Sequence, residues 1–166
     1  ATIVLDEADR GAANPWAVAF LTQVSSAAQL LVTHAGTHEA SIIDWQELLG
    51  RSAERGTPGT YFDETVFGML DGIRQRMSLP VNGPRALCVS QSRAYVAGYF
   101  SGDVAVLDCS TEEAATVVKT LSLSPPSTSA AWLGERYFND ATSCFQGWQS
   151  CASCHPDGRS DTLYWD

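Results

Sequence analysis

The amino-acid sequence predicts a mainly β protein that ends in a short helical segment. Two stretches of the chain repeat one another, and each contains short β-rich runs separated by Gly, Asn, Pro or Ser. A Cys-x-x-Cys-His pentapeptide follows at 151–155, behind a stretch with two adjacent prolines. With 166 residues, of which 45% are hydrophobic, the chain has the size and composition of one ordinary globular domain or two small ones.

The internal repeat defines the predicted strands. In each copy, a Pro-x-Ala-aliphatic start is followed by a middle strand, a turn and a strand that ends in Asp. Ala35–His38 and Phe100–Asp103 are predicted hairpin turns in which a glycine takes the positive φ angle. The predicted strands lie at residues 2–5, 15–20, 30–34 and 40–44, and again at 85–89, 94–98, 104–108 and 116–122.

Three or four short antiparallel strands in each of several repeats are typical of propeller blades. The stretch YVAGYFSGDVAVLD at 95–108 carries the best match, and residues 1–48 and 80–123 together resemble the YVTN family of β-propeller repeats. The first copy has His and Thr where that family usually has Asn and Ser. The resemblance implies propeller-like blades over residues 1–123. Because two blades cannot close a ring, we expect a longer chain or other subunits to complete the propeller.

A helical insertion at 45–79 is predicted to separate the two copies. Its helices are expected at Trp45–Arg55 and Phe62–Met77, the second because its apolar residues fall three to five positions apart along one stripe. Arg74 and Arg76, near the end of that stripe, suit the negative end of a helix dipole. We therefore expect a helical excursion packed against one of the blades.

The pentapeptide is the most specific motif of the chain. In such a motif, two thiols add across the vinyl groups of a haem and the following histidine reaches the iron. We predict Cys151 and Cys154 as the thioether ligands of one covalent haem c, and His155 as its proximal metal ligand. Two rival interpretations remain. A zinc site needs a further pair of ligands, and a redox thiol pair needs a βαβ setting.

The flanking stretches GERYFNDAT at 134–142 and WQSCASCHPDGR at 148–159 resemble the haem segment of the bacterial cytochrome c peroxidase and MauG-like family. The resemblance implies a c-type haem segment over 133–166, joined to the blades by a linker at 124–132. It implies electron transfer, with peroxide reduction or oxidation of a partner protein as the reaction. The family usually carries a second Cys-x-x-Cys-His downstream, whereas this chain ends 11 residues after His155, so we expect the segment to be incomplete.

Two further residues are predicted to serve the haem. Trp148, three residues before the first thiol, is expected to contact it. The side chain of Arg159 matches a haem propionate, or else pairs at the surface with Asp157 or Asp161. Because covalent haem attachment takes place outside the cytoplasm, we expect a periplasmic or extracellular protein with a redox partner.

Charge and hydropathy exclude other partners. With 19 acidic and 10 basic residues, the net charge of -9 would repel a nucleic-acid backbone. No apolar run approaches the ~20 residues that a membrane-spanning helix needs.

The competing hypothesis is a non-enzymatic binding module, in which the propeller recognises a partner protein and the Cys-x-x-Cys-His motif is structural or unoccupied.

The second axial position of the iron has several candidate ligands. Residues 156–166 contain no His, Met, Cys or Lys, which leaves water, another chain, or one of His34, His38, Met69 and Met77. The two histidines flank a predicted turn and are expected to be surface or turn residues, and the two methionines are expected to fill gaps in the core. We therefore predict that no residue of this chain binds the distal side of the iron.

Overall fold

The computed structural model describes residues 3–21, 28–55, 66–111, 114–123 and 128–160. Within these ranges the strands form two four-stranded antiparallel sheets, and each sheet is a meander in chain order, so the predicted mainly β class is confirmed. The first sheet contains β1 (Pro15–Leu21), β2 (Gln29–His34), β3 (Glu39–Asp44) and β4 (Arg74–Ser78). The second contains β5 (Pro84–Ser90), β6 (Arg93–Gly98), β7 (Asp103–Asp108) and β8 (Thr116–Ser122).

The helices of the described chain are few and short. They are α1 (Trp45–Arg55), α2 (Ala130–Asn139) and α3 (Cys151–Cys154), with 3-10 turns at Val66–Leu70, Phe145–Gly147 and Pro156–Gly158. The helix predicted over Trp45–Arg55 is confirmed as α1. Within the described ranges, no helix is both long and apolar enough to cross a membrane.

The two predicted hairpin turns differ in the residue that takes the positive φ angle. In the turn between β6 and β7 it is Gly102, with a φ of 70°, as predicted. In the turn between β2 and β3 it is His38, with a φ of 57°, and not Gly36. Histidine is among the residues that tolerate this region more readily than most. The left-handed backbone of His38 determines where its ring lies, between Gly83 and Asp140.

The helix predicted over Phe62–Met77 is wrong in its second half. Arg74–Ser78 is strand β4, which pairs with β3 in the register Ile43↔Arg74 and Glu39↔Ser78; residues 62–65 lie outside the described ranges. The run of polar residues pairs as a strand because its side chains find partners that are distant in sequence. Arg76 binds the buried Glu39, and the Gln75 side chain bonds the backbone of Ala115 at 2.7 and 2.8 Å.

The first predicted strand, at 2–5, is also wrong for the residues described, since 3–5 lie in no strand. The side chains of this segment instead pack against the outer face of the first sheet. There they help to cover a second apolar cluster, whose buried members are Val32, Ile43, Leu48, Met69 and Leu70.

The main core lies between the two sheets. Buried residues of β2 and β3 meet buried residues of β6 and β7 there, and several are alanines that let the sheets approach closely. Its members include Leu21, Leu31, Ala40, Ile42, Ala94, Val96, Ala105 and Leu107. Strand β1 of one sheet also lies against β5 of the other, so the starts of the two repeats are neighbours.

Helix α2 begins the C-terminal segment. Ser129 caps it by accepting a hydrogen bond from the Trp132 backbone N–H at 3.2 Å, so the helix begins at Ala130, inside the predicted linker 124–132. The indole of Trp132 packs on Tyr99 and Phe100, with ring centroids 5.1 and 5.4 Å away. These aromatic contacts fix α2 against the end of the second sheet.

Candidate cofactor-binding site

The Cys-x-x-Cys-His pentapeptide forms a single helical turn, α3, with its own cap. The backbone N–H of Ser150 donates to the Ser153 hydroxyl at 3.0 Å, and Ser150 caps the turn in return. The His155 N–H then bonds the Cys151 carbonyl at 2.9 Å. Residues three positions apart in a helix share a side, so this turn places the exposed, free thiols of Cys151 and Cys154 on one side.

The exposed His155 ring is held in one tautomer. Its Nδ1 lies 3.0 Å from the carbonyl oxygen of Arg159. Because a carbonyl can only accept, Nδ1 donates in this contact, and in the neutral ring this leaves the lone pair on Nε2, where it can bind a metal. The tight turn at Pro156–Gly158, with a φ of 56° at Asp157, brings that carbonyl back to the ring. The Arg159 side chain was predicted to bind a haem propionate, whereas the backbone carbonyl of Arg159 contacts the His155 ring.

Asn14 joins this helical turn to the first sheet. Its Nδ2 donates to the Ser150 hydroxyl at 2.8 Å, and its Oδ1 accepts from the Ser153 hydroxyl at 2.9 Å. Asn14 has a φ of 56°, a conformation that asparagine adopts more readily than most residues. One side chain at the start of β1 therefore positions the Cys-x-x-Cys-His helix.

Gly11 makes a second junction with the C-terminal segment. Its N–H donates to the Gln146 carbonyl at 2.8 Å. A Cβ atom at this position would collide with the backbone of Gly147 and Trp148, so the approach requires glycine. Trp148, predicted to contact a haem, is half-buried at this junction, and its Nε1 donates to the Gln146 side chain at 2.9 Å.

His38 connects both sheets to the same segment. Its Nδ1 accepts from the Gly83 N–H at 3.1 Å, and its Nε2 lies 3.4 Å from a carboxylate oxygen of Asp140. Partial burial raises the pKa of the Asp140 carboxyl, but hydrogen bonds from Thr142 and the contact with His38 outweigh it and leave that pKa below its ordinary value. His38 is therefore a turn histidine, as predicted, but its ring is half-buried rather than at the surface.

His34 is also not at the surface. It is fully buried in β2, and its Nε2 lies 2.8 Å from the Ser41 hydroxyl. Burial lowers the pKa of His34 and, together with the nearby Arg76 and Arg74 guanidinium groups, brings it to about 3. The imidazole is therefore neutral at physiological pH and is enclosed by the sheet.

A cavity of about 830 Å³ adjoins the pentapeptide. Ala152, which lies between the two thiol residues, and Pro156, which follows His155, form one of its walls. The remaining walls come from α2 and from the starts of β1 and β5, and include Trp16, Arg85, Glu135 and Phe138. This volume is within the range of about 300–1,000 Å³ that is typical of small-molecule and cofactor sites.

Arg85 is the cationic residue among those that line this cavity, and it was not among the predicted site residues. The carbon of its guanidinium group lies 4.4 Å from the ring centroid of Trp16, 4.5 Å from that of Tyr99 and 4.8 Å from that of Phe100. Its Nη1 is 4.0 Å from a Glu135 oxygen. In the sequence, Arg85 is one more residue in a predicted strand, and no local motif marks it.

The donor set fits a covalently attached haem. Two free thiols with helical spacing, followed directly by an exposed imidazole, are the groups that such attachment uses; the cavity adjoins the same turn through Ala152 and Pro156 and is not lined by the thiols or the imidazole. In the described part of the chain, no group of three or more His, Cys, Asp or Glu side chains converges as a metal site would require. Phe138 lines the cavity, and Trp165, also considered as a haem contact, lies outside the described ranges.

Comparison with known proteins identifies no relative. No protein-family model, no curated protein and no solved structure matches this chain. The fold and the site therefore define only a class of protein: a mainly β protein with a short Cys-x-x-Cys-His segment that hydrogen bonds hold against the first sheet.

Proposed function

We propose that this chain is a c-type haem protein that transfers electrons outside the cytoplasm. The observation that carries the proposal is the His155 ring, whose Nδ1 proton is held by the Arg159 carbonyl beside two exposed, free thiols. Each thiol would add its S–H across one vinyl group, with sulfur bonding one carbon and hydrogen the other, while His155 Nε2 binds the iron. A bound haem would supply an iron that passes single electrons.

The placement of the segment suits exchange with a redox partner protein. Cys151, Cys154 and His155 are all exposed, whereas the contacts that hold the segment come from Ser150 and Ser153 on its other side. The attachment residues are therefore accessible without any rearrangement of the sheets. We further propose that the two sheets are blades of a β-propeller that other parts of a longer chain, or other subunits, complete.

The distal side of the iron would receive no ligand from the described chain. His34 is buried against Ser41, His38 is held by Gly83 and Asp140, and Met69 lies in the outer apolar cluster. Met77 is partly buried against the main core. Water in that position would permit the peroxidase-like chemistry that the sequence resemblance implies.

The test is the mass and the absorption spectrum of the full chain, produced with a c-type haem maturation system. A mass gain of one haem, lost in Cys151→Ser and Cys154→Ser, together with a reducible haem spectrum, is the expected result. His155→Ala should retain the thioether bonds but change the ferric spectrum, because the proximal ligand is removed. A matured chain of unmodified mass would refute the proposal.

A second candidate function is a partner-binding module. Alternate residues of β1, namely Trp16, Val18 and Phe20, are each more than two fifths exposed, and such an apolar row on one face is typical of a covered surface. The same mass measurement distinguishes the two, since a binding module needs no haem.

A further inference from the structure

We propose that the outer face of the second sheet is a docking surface for a third four-stranded antiparallel sheet of the same repeat. The outer face is the side of β5–β8 that is turned away from the first sheet. The inference rests on the part of the proposed function that treats the sheets as blades, because it names the surface that a further blade would cover. It makes no use of the haem, so the two proposals can fail separately.

The two sheets are built in the same register. Residues that are directly opposite in neighbouring antiparallel strands share a face of the sheet, so each row of paired residues belongs to one face. The last strand of each sheet is also followed by the same backbone hydrogen bond, from Leu79 to the His38 carbonyl at 2.9 Å and from Leu123 to the Gly102 carbonyl at 3.1 Å. The matching rows are Leu31, Ile42 and Gln75 with Tyr95, Val106 and Lys119, and Thr33, Ala40 and Met77 with Ala97, Val104 and Leu121.

The matching rows have different surroundings in the two sheets. In the first sheet, Leu31 and Ile42 are buried in the core against the second sheet, and Met77 packs on that core. In the second sheet, it is the alternating side chains, such as Val96 and Leu107, that face this core. The first sheet therefore packs one face onto the opposite face of the second, in a head-to-tail manner. The equivalent face of the second sheet has no sheet on it in the described part of the chain.

Leu79 and Leu123 measure the consequence of this difference. They occupy matching positions after the last strand of each sheet. Leu79 is 7% exposed in the core between the sheets, whereas Leu123 is 72% exposed. In β5, Cys88 is exposed beside the half-buried Tyr95 with which it pairs. The second sheet thus leaves in water an apolar position that the first sheet buries, which is unfavourable until another surface covers it.

The interface between the two sheets indicates the chemistry of the occupant. The Gln75 side chain crosses this interface to bond the backbone of Ala115 at 2.7 and 2.8 Å. Lys119 holds the matching place on the outer face, where its ammonium group can donate to a backbone carbonyl of the occupant. The occupant should therefore be a sheet with a face of small and aliphatic side chains, like the face that meets the first sheet, which includes Leu87, Val89, Ala94, Val96, Ala105 and Leu107.

A second copy of this chain does not offer such a face. The corresponding surface is the outer face of the first sheet, which contains Val32 and Ile43. There, residues 3–5, α1 and the turn at Val66–Leu70 already pack on these side chains. We therefore assign the docking surface to a further sheet, and binding of a second copy is an outcome that would overturn the assignment.

The experiment inserts an added copy of residues 80–123 directly after Leu123 in the full chain, produced without haem attachment. The insertion reproduces the spacing between the first two sheets, and the added copy carries Cys88→Ser and Cys109→Ala, so that the original Cys88 reports on the docking surface. Labelling of Cys88 by a maleimide, followed by peptide mass spectrometry, should be about tenfold slower than in the wild type, because it then requires local opening. Labelling of the exposed Cys151 should keep its wild-type rate.

Two substitutions in the original copy test whether the protection arises at this face. Tyr95→Lys places a charge on the docking surface, and Gln91→Lys places the same charge in the exposed β5–β6 turn. Each is also made without the insertion, so that labelling rates of Cys88 are compared at equal local charge. We expect the protection to be lost with Tyr95→Lys and kept with Gln91→Lys. A folded insertion variant without protection of Cys88, or with equal protection in both substituted forms, overturns the assignment.

If the insertion variant does not fold, the wild-type chain decides. Labelling of Cys88 that is independent of protein concentration, with a monomer in sedimentation, supports an open face that a different sheet covers. Slower labelling at high concentration, with a dimer that Tyr95→Lys dissociates, overturns the assignment in favour of a second copy. A matured chain of unmodified mass would refute the haem proposal and leave each of these outcomes unchanged.

Discussion

The two sheets and the C-terminal segment are held in place by different forces. The sheets share an apolar core, and buried residues occur in every strand from β2 to β7 except β4. The segment from α2 onward has two buried residues in its described part, Ala141 and Ser150, and it is held by hydrogen bonds, aromatic contacts and one histidine–carboxylate contact. The sheets therefore contain their own source of stability, while the segment depends on the sheets for its position.

The largest expected effect comes from the core. Leu31→Ala removes a side chain that is 0% exposed between the sheets and should lower the free energy of unfolding by about 2–5 kcal/mol. Leu133→Ala on α2, where the leucine is 38% exposed, is the matched control and should change it by less than about 1 kcal/mol. Urea unfolding measures both, and equal losses would contradict the distinction between the two regions.

Gly11→Ala should detach the segment and leave the sheets folded. The added Cβ meets backbone that cannot give way locally, at a cost of about 1–3 kcal/mol. Limited proteolysis should then cleave within the C-terminal segment faster than in the wild type, with the sheet fragment intact. Gly50→Ala in α1, where a Cβ meets nothing within 4 Å, should leave the cleavage rate unchanged. Global unfolding in Gly11→Ala would show that the segment and the sheets are one cooperative unit.

The buried His34 makes the sheets sensitive to acid. Its pKa is about 3 in the folded protein and 6.5 ordinarily. The contribution of the neutral ring to the free energy of unfolding is therefore fully present above pH 6.5. It decreases as the pH falls, because the unfolded chain takes up the proton first. From pH 6.5 to 5 the free energy of unfolding should fall by about 1.5 kcal/mol through this residue.

The check is urea unfolding at the two pH values. His34→Asn should remove this part of the pH dependence, whatever its effect on absolute stability. His155→Asn, at an exposed site, should retain it. An unchanged pH dependence in His34→Asn would show that His34 has the same pKa in the folded and the unfolded chain.

The smallest effect is expected at Asn14. Asn14→Gly keeps a residue that accepts the positive φ angle but removes two hydrogen bonds, one to α3 and one to its N-cap, a loss of about 0.5 kcal/mol each. Gln91→Gly is the matched control, since Gln91 has a φ of 54° in the β5–β6 turn. Amide hydrogen exchange at Ser153 and His155 should accelerate in Asn14→Gly alone; equal exchange in both variants would exclude a docking role.

Seven of the eight strands could be predicted because their β-branched and aromatic residues recur between turn residues. β4 could not, since Arg-Gln-Arg-Met has no apolar alternation and its apolar neighbours fit a helical spacing. Its pairing depends on Glu39 and the Ala115 backbone, which are distant in sequence. The pentapeptide was predictable from its local spacing, whereas Arg85 reaches the cavity only because β1 and β5 are neighbours in space.

The contact between Asn14 and Ser153 has a consequence for how the pentapeptide is used. The attachment chemistry specifies Cys151, Cys154 and His155 and leaves the two intervening positions open. In this chain Ser153 bonds the first sheet and Ala152 forms a wall of the cavity. The intervening pair thus determines where the Cys-x-x-Cys-His segment docks on the protein, independently of the residues that would bind a cofactor.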